Sequence, residues 1–159
     1  MFASTHGDLG ITDYMCATLA GTPTDVSPTK FHNSVHNAAA GYWTIGSGCM
    51  RTTTAISAYR ATFAQGLLEA LVQLATDAEA VLLVGYDTTA SGLLSTMTRS
   101  EGLLGAALVL AREGAGPRLS ARLHDGDAPA GSGPLARRAQ AHAVAPVLPR
   151  GVALAAGGP

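Results

Sequence analysis

A long run of apolar residues over positions 58–76 dominates the hydrophobic pattern of the chain. Its polar positions form only a thin stripe, made of Gln65, Glu69, Gln73 and Thr76. A helix with so little polar surface is buried on most of its sides. The next apolar segment, residues 80–86, shows no polar alternation, which predicts a strand in a sheet covered on both faces. The pattern therefore predicts a layered α/β domain centred on this helix.

The segments around this centre predict further strands and a loop. Residues 52–57 are β-branched for the most part and predict a strand, and the glycine-rich residues 46–50 predict the loop in front of it. Downstream, residues 105–111 and 118–123 predict two strands joined as in a hairpin by residues 113–117. The sequence thus predicts strands both before and after the central helix.

The first third of the chain predicts one strand end and two helices. Residues 1–5 are typical of the end of a strand, so we expect a further element in front of it. Residues 11–20 have helical spacing and stop at Gly21. Ser27 then offers a cap for a second helix, with Pro28 at its first position.

Composition and charge limit the classes of partner that we expect the protein to bind and the cell compartment in which we expect it to work. The net charge of −1 without a cluster of Lys or Arg disfavours nucleic acid and a membrane surface, and no apolar run approaches the length of a membrane span. Cys16 and Cys49 lack the spacing of metal ligands, which favours a reducing, cytoplasmic setting without metal or cofactor. We expect one domain over residues 1–123, followed by an Ala/Pro/Gly-rich tail over 124–159 with a short helix near 134–145.

Two histidines raise the question of a metal site. His32 and His36 are spaced by four residues, and on one helix they would share a face. A third ligand is not evident, and no carboxylate lies between them. The favoured interpretation is that His32, Asn33, His36 and Asn37 hold backbone groups where a helix meets the sheet.

The stretch from residue 27 to residue 43 carries a resemblance to a known family. It reads Ser-Pro-Thr-Lys-Phe-His-Asn-Ser-Val-His-Asn-Ala-Ala-Ala-Gly-Tyr-Trp, with signature positions at His32, Asn33, His36, Asn37, Gly41 and Trp43. With the elements that follow, it resembles the N-terminal half of the β-ketoacyl synthases. It is most similar to the ketoacyl-synthase-like chain length factors of bacterial aryl-polyene-type clusters. The resemblance covers roughly residues 1–123 and implies half of a thiolase-like fold, with a layered mixed sheet and a buried central helix.

The resemblance implies a nucleophile at the turn between a strand and the buried helix, and the chain offers two placements. Matching Ile45 and the 80–86 strand without gaps puts Arg60 at this position. Counting back from Gly66 can instead reach Cys49. The second placement leaves no room for the strand and puts three threonines into the helix, where β-branched residues are disfavoured. The placement at Arg60 therefore fits better, with Cys49 as a loop thiol.

Each placement implies a function. A guanidinium stays protonated and is not an acyl acceptor. With Arg60 at the nucleophile position, the resemblance thus implies a non-catalytic subunit that pairs, as a heterodimer or homodimer, with a catalytic ketoacyl synthase. The pair would elongate an acyl chain on acyl carrier protein in polyketide- or fatty-acid-type biosynthesis. The family's interface strand corresponds to Val81, Leu82, Leu83 and Val84.

The alternative is an acyltransferase, a 3-oxoacyl-ACP synthase that uses Cys49 as its nucleophile. The histidines that assist this chemistry in the family come from the C-terminal half, so a partner would have to supply them. A third possibility is a truncated product that folds poorly.

Overall fold

The computed structural model of the protein describes residues 1–123, Pro134, Arg137, His142 and 152–157. The helices are α1 (Leu9–Gly21), α2 (Pro28–Asn33), α3 (Ala38–Ser47), α4 (Thr62–Thr76) and α5 (Leu94–Met97). The strands are β1 (Phe2–Ala3), β2 (Ala55–Ile56), β3 (Ala80–Asp87), β4 (Leu104–Ala111), β5 (Arg118–Leu123) and β6 (Val152–Gly157). Most of the predicted short helix near 134–145 lies outside the described residues.

Four of the strands form a mixed sheet in the order β2-β1-β3-β4. β1 runs parallel to both β2 and β3, and β4 runs antiparallel to β3 along its whole length. Because β1 lies inside the sheet, the carboxyl ends of three parallel strands come together at one edge. The mixed sheet beside a long buried helix confirms the predicted α/β class.

Helix α4 packs across one face of the sheet and forms the core. Leu67 in the helix and Leu83 in β3 are fully buried, each with 0% of its surface exposed. A Cβ on Gly66 would lie 3.1 Å from Cβ of Ala3 and 3.2 Å from Cδ1 of Leu83, so this glycine sets the close approach of helix and sheet. Glycine costs a helix about 1 kcal/mol, and each buried leucine stabilises the fold by about 1.5–3 kcal/mol. The close packing therefore outweighs the cost of the glycine.

The side chains of β3 alternate between the two faces of the sheet, which corrects the prediction of a strand covered on both. Val81 and Leu83 are buried beneath α4, whereas Leu82 and Val84 are half-buried on the opposite face. On that face the ring of Trp43 in α3 lies 6.3 Å from the ring of Phe2 in β1, centroid to centroid. An apolar run does not reveal how much of each face is covered, because apolar side chains occur on both.

Local signals set the ends of the first helices. The Asp8 carboxylate caps α1 by accepting from the amide of Ile11 at 3.1 Å, and the Ser27 hydroxyl accepts from the amide of Lys30 at 3.4 Å at the start of α2. The glycine-rich stretch differs from its prediction as a loop, because α3 continues through Ser47 and ends at Gly48. Gly48 has φ 64°, the left-handed conformation in which glycine terminates a helix.

The two predicted downstream strands exist, but they do not form a hairpin. β4 pairs with β3, whereas β5 pairs antiparallel with β6 in a separate two-stranded sheet. The strand β6 falls in the segment that the sequence predicts as tail. Strand pairing depends on which partner the fold brings close, and the glycines and proline between residues 113 and 117 permit either outcome. The division into a domain and a tail stays a prediction.

Candidate functional site

Polar residues gather where the three parallel strands end beside the amino end of α4. Ser4 and Thr5 follow β1, Ser57 follows β2, and Asp87 ends β3. Ser4, Thr5 and Asp87 are almost completely buried, with 0%, 5% and 3% of their surfaces exposed. Open α/β sheets bind ligands at the carboxyl ends of their strands. This edge is therefore the candidate functional site.

The turn that links β2 to α4, residues 57–61, has an unusual backbone. Tyr59 has φ 51°, and it is the one non-glycine residue with positive φ in the part of the chain that the structure describes. For a bulky residue this conformation costs about 1–2 kcal/mol. The side chain of Tyr59 is 57% exposed, so contacts of its ring do not offset this cost. Such strain persists only where surrounding structure enforces it.

Thr62, at the start of α4, holds the β2–α4 turn in place. Its hydroxyl accepts from the amide of Ala58 at 3.0 Å and donates to the carbonyl oxygen of Tyr59 at 2.6 Å. The Ser57 hydroxyl donates to the carbonyl oxygen of Thr5 at 2.7 Å, which ties the turn to the end of β1. Thr62 has no exposed surface, so these hydrogen bonds are shielded from water.

Arg60 lies in this turn, directly after Tyr59 and two residues before Thr62, the first residue of α4. Its side chain is exposed, and its guanidinium carbon lies 5.8 Å from the centre of the Tyr59 ring. The first turn of α4 contains no acidic residue to compensate the cation. The Arg60 cation would be repelled by the positive amino end of the α4 dipole, but solvent screens this repulsion because the side chain is exposed. Residues 58–61 are Ala, Tyr, Arg and Ala, so the turn carries no thiol.

Cys49 lies elsewhere, beyond the C-terminal end of α3. Its amide donates to the carbonyl oxygen of Thr44 at 3.0 Å, and its side chain lines an open cleft of about 350 Å³ between α3 and residues 49–55. Residues 49–54 lead into β2 at its amino end, whereas the β2–α4 turn follows its carboxyl end. In the sequence, β2 therefore separates the Cys49 thiol from the amino end of α4. The carboxyl end of α3 exposes carbonyl groups and offers no free N–H groups to stabilise an anion.

Among the signature residues, His36 and Trp43 contact the sheet, and Asn33 makes a hydrogen bond within the α2–α3 unit. His36 Nε2 lies 2.7 Å from the carbonyl oxygen of Ser4, to which it donates, and Asn33 Oδ1 accepts from the hydroxyl of Tyr42 at 2.7 Å. Asn37 precedes α3 without a side-chain cap, and Gly41 lines the same cleft as Cys49. The expected backbone contact is therefore made by His36.

His32 and His36 do not share a helix face. α2 ends at Asn33, so His36 lies in the connection to α3. The ring of His32 meets Tyr42 edge to face at 6.4 Å, whereas His36 faces the end of β1. No group of three or more His, Cys, Asp or Glu side chains suited to a metal ion occurs among the described residues.

The strand expected at a subunit interface, residues 81–84, lies inside the sheet. Both edges of β3 are paired, one with β1 and the other with β4. Val81 and Leu83 are buried in the core of the same chain. Only Leu82 and Val84 have side chains on the less covered face, so an interface at β3 would use that face and not strand pairing. The interface itself stays a prediction.

Tyr86 lies beside the polar cluster on β3. Burial raises the pKa of its phenol, the hydrogen bond with Ser4 lowers it, and the carboxylates of Asp8 and Asp87 raise it further. The direction of the net shift is upward, so the phenol is neutral at physiological pH. A neutral phenol can donate a hydrogen bond.

A buried pair of side chains, Ser100 and His142, escaped the sequence analysis. The Ser100 hydroxyl donates to the carbonyl oxygen of Thr88 at 2.6 Å, and His142 Nδ1 lies 3.0 Å from the same hydroxyl. A hydroxyl has one proton, so His142 donates to Ser100 and does not activate it. The pair therefore has a structural role. The two residues are 42 positions apart in the sequence, and no local pattern connects them.

Replacing Tyr59 by glycine tests whether this turn is strained. We expect Tyr59→Gly to raise the free energy of unfolding by about 0.5–1 kcal/mol, because glycine adopts positive φ without steric cost. Urea denaturation followed by circular dichroism measures the change. Tyr42→Gly, in the middle of α3, is the control and is expected to lower stability by at least about 1 kcal/mol, because it adds a glycine to the helix and also loses the hydrogen bond to Asn33. Equal losses for both variants would show that Tyr59 is unstrained.

Comparison with known proteins places this geometry in a family. The family model for "Beta-ketoacyl synthase, N-terminal domain" matches residues 1–149. The fold is the thiolase-like fold of the ketosynthases, and the chain belongs to the β-ketoacyl synthase N-terminal domain family. The predicted family and fold are therefore confirmed. No curated protein matches the chain.

A solved structure resembles this chain in three dimensions. It is the ketosynthase (ApeO) in complex with its chain length factor (ApeC) from Xenorhabdus doucetiae. The match to one of its chains has a TM-score of 0.67 and 29% sequence identity. It covers 77% of this chain and 52% of the other, so this chain spans about half the length of its relative. Among the described residues, no helix has the length and apolar character needed to cross a membrane.

Proposed function

We propose that this chain is a non-catalytic, chain-length-factor-like subunit that pairs with a catalytic ketoacyl synthase. The pair acts on an acyl chain carried by acyl carrier protein, in polyketide- or fatty-acid-type biosynthesis in the cytoplasm. The observation that carries the proposal is the β2–α4 turn, where Tyr59 and Arg60 occupy the strand-to-helix junction and no thiol is present.

The chemistry of this turn supports a passive subunit. Position 60 carries a guanidinium, a cationic group without a lone pair for attack on a thioester. A cation at the amino end of a helix also opposes the dipole that would stabilise a developing anion there. Arg60 is therefore the nucleophile-equivalent residue in this proposal, and it does not form an acyl intermediate.

The position of Cys49 argues against the alternative of an acyltransferase. A nucleophilic thiol is activated at a helix amino end or beside a cation or an imidazole. Cys49 instead follows the carboxyl end of α3, and it belongs to a cleft at the start of β2. The resemblance of the chain to a complex of a ketosynthase with its chain length factor supports a synthase as the partner.

An elongation assay tests the proposal. The chain is co-purified with a candidate ketoacyl synthase from the same organism, and products on acyl carrier protein are measured by mass spectrometry. We expect Cys49→Ala to change the elongation rate by less than about twofold, because this thiol takes no part in the chemistry. The exposed thiol of Cys16 provides the control variant, Cys16→Ala. Loss of elongation in Cys49→Ala alone, or acyl mass on Cys49, would establish the acyltransferase instead.

A further inference from the structure

The cleft beside α3 has no role in the proposed function, although it has the size of a ligand site. Its volume of about 350 Å³ lies at the lower end of the range for small-molecule pockets, about 300–1,000 Å³. One wall is a single face of α3, with residues spaced by three and four, and the other wall is the segment that leads into β2. We call it the α3 cleft. The residues that line it are Asn37, Ala40, Gly41, Thr44, Cys49, Met50, Arg51, Thr53 and Ala55.

Small side chains on α3 keep the α3 cleft open. Ala40 is buried, with 3% of its surface exposed, and Gly41 has no side chain at all. A Cβ on Gly41 would meet no atom within 4 Å, so this position faces free space. A larger side chain at position 41 would therefore occupy the cleft.

The unpaired donors of the α3 cleft favour an anion. Arg51 is the only charged residue that lines it, and the guanidinium has no ion pair or hydrogen bond with the residues that the structure describes. The Asn37 side chain precedes α3 without capping it and also lacks a partner in this part of the chain. The hydroxyls of Thr44 and Thr53, in contrast, donate to the carbonyl oxygens of Gly41 at 2.8 Å and Arg51 at 3.4 Å. The guanidinium and the amide thus keep N–H donors for a ligand.

We propose that the α3 cleft binds a small organic carboxylate with a short apolar chain. The carboxylate lies against Arg51 and Asn37, because a guanidinium pairs with a carboxylate through two parallel hydrogen bonds. The apolar chain packs on Ala40, Ala55 and Met50. No acidic residue lines the cleft, so no neighbouring charge there repels the anion.

The single cation favours a carboxylate over a phosphate group. A phosphate group carries about two negative charges near neutral pH, whereas the α3 cleft has one guanidinium. Met50 is 96% exposed, and its flexible thioether suits contact with an apolar chain. Because the cleft is open, we expect a dissociation constant on the order of 1 mM. The inference is independent of the proposed function, since β2 separates the cleft from the β2–α4 turn in the sequence.

The Cys49 thiol reports whether the α3 cleft is occupied. In the variant Cys16→Ser it is the one remaining cysteine, and mass spectrometry follows its alkylation by the uncharged reagent iodoacetamide. We expect about 10 mM hexanoate to slow the alkylation at least about fivefold, because a site at about ten times its dissociation constant is mostly occupied. Hexylamine and 1-hexanol lack the carboxylate, so at the same concentration they should leave the rate within about twofold.

Two further variants test the charge and the space of the α3 cleft separately, with affinity measured by NMR titration with hexanoate. Arg51→Gln removes the cation and should raise the dissociation constant at least about tenfold. The control Arg112→Gln, at an exposed position outside the cleft, should bind like the parent chain. Gly41→Leu fills the cleft and should abolish binding. Its control is Gly46→Leu, in the same helix but outside the cleft, where a Cβ also meets no atom within 4 Å.

Three results would overturn the proposal. One is equal protection of Cys49 by 1-hexanol and hexanoate, which would indicate an apolar site without selection for charge. Another is equal protection by inorganic phosphate, which would indicate a site for anions in general. The third is an unchanged affinity in Arg51→Gln, or no NMR shift in the parent chain at about 50 mM hexanoate. Circular dichroism confirms that each variant is folded.

Discussion

Gly66→Val is expected to lower the free energy of unfolding by about 2–3 kcal/mol, because its new side chain enters a core that is already filled. A single Cβ at this position already lies 3.1 Å from Cβ of Ala3 and 3.2 Å from Cδ1 of Leu83. Both neighbours are completely buried, so neither can move aside into solvent. Valine adds two further methyl groups. Thermal and urea denaturation measure the loss, which corresponds to about 5–10 °C in melting temperature for a chain of this size.

Gly46→Ala is the matched control for this variant. Gly46 is also a helical glycine, but a Cβ there would meet no atom within 4 Å. We expect Gly46→Ala to be neutral or to stabilise the protein by up to about 1 kcal/mol, through helix propensity alone. If Gly66→Val were tolerated as well as Gly46→Ala, then α4 would not pack against the sheet as closely as the structure indicates.

Thr62→Val is expected to lower stability by about 2 kcal/mol although valine has nearly the same shape as threonine. The change removes the hydroxyl that accepts from the amide of Ala58 and donates to the carbonyl oxygen of Tyr59. The carbonyl oxygen of Tyr59 keeps its hydrogen bond from the backbone amide of Thr62, whereas the amide of Ala58 loses this partner beside a completely buried side chain, and buried polar groups without partners are costly. Urea denaturation measures the loss of stability.

Thr76→Val controls for the substitution of threonine by valine in the same helix. The Thr76 hydroxyl donates to the carbonyl oxygen of Val72 in an exposed position near the end of α4. Water can replace this bond, so we expect a loss below about 0.5 kcal/mol. A small effect of Thr62→Val would mean that the β2–α4 turn keeps its conformation without the threonine.

The predicted and observed elements agree best where one local pattern decides the structure. Residues 58–76 predict a helix, and α4 occupies residues 62–76. Residues 80–86 predict a strand, and β3 spans Ala80–Asp87. Ser27 and Pro28 open α2 as the capping preferences require. Each of these cases depends on neighbours within a few residues, and the sequence shows such neighbours directly.

The sequence alone predicted only part of the candidate site. The sequence places Arg60 at the junction of strand and helix and Cys49 in a separate stretch. The backbone strain at Tyr59 has no sequence signal, because tyrosine is not a residue that favours positive φ. The cluster of Ser4, Thr5, Ser57 and Asp87 is also hidden, since its members come from three strand ends that lie far apart in the chain.

By itself the sequence determined the family, the order of the main elements and the absence of a thiol from the β2–α4 turn. These follow from side-chain identity and short-range spacing. The tertiary structure alone decided that β1 lies between β2 and β3, that β4 forms the open edge, and that β5 pairs with β6. It also decided that Cys49 follows the carboxyl end of α3, in the segment that leads into β2. Strand partners and covered faces depend on contacts between distant residues, and no local pattern encodes them.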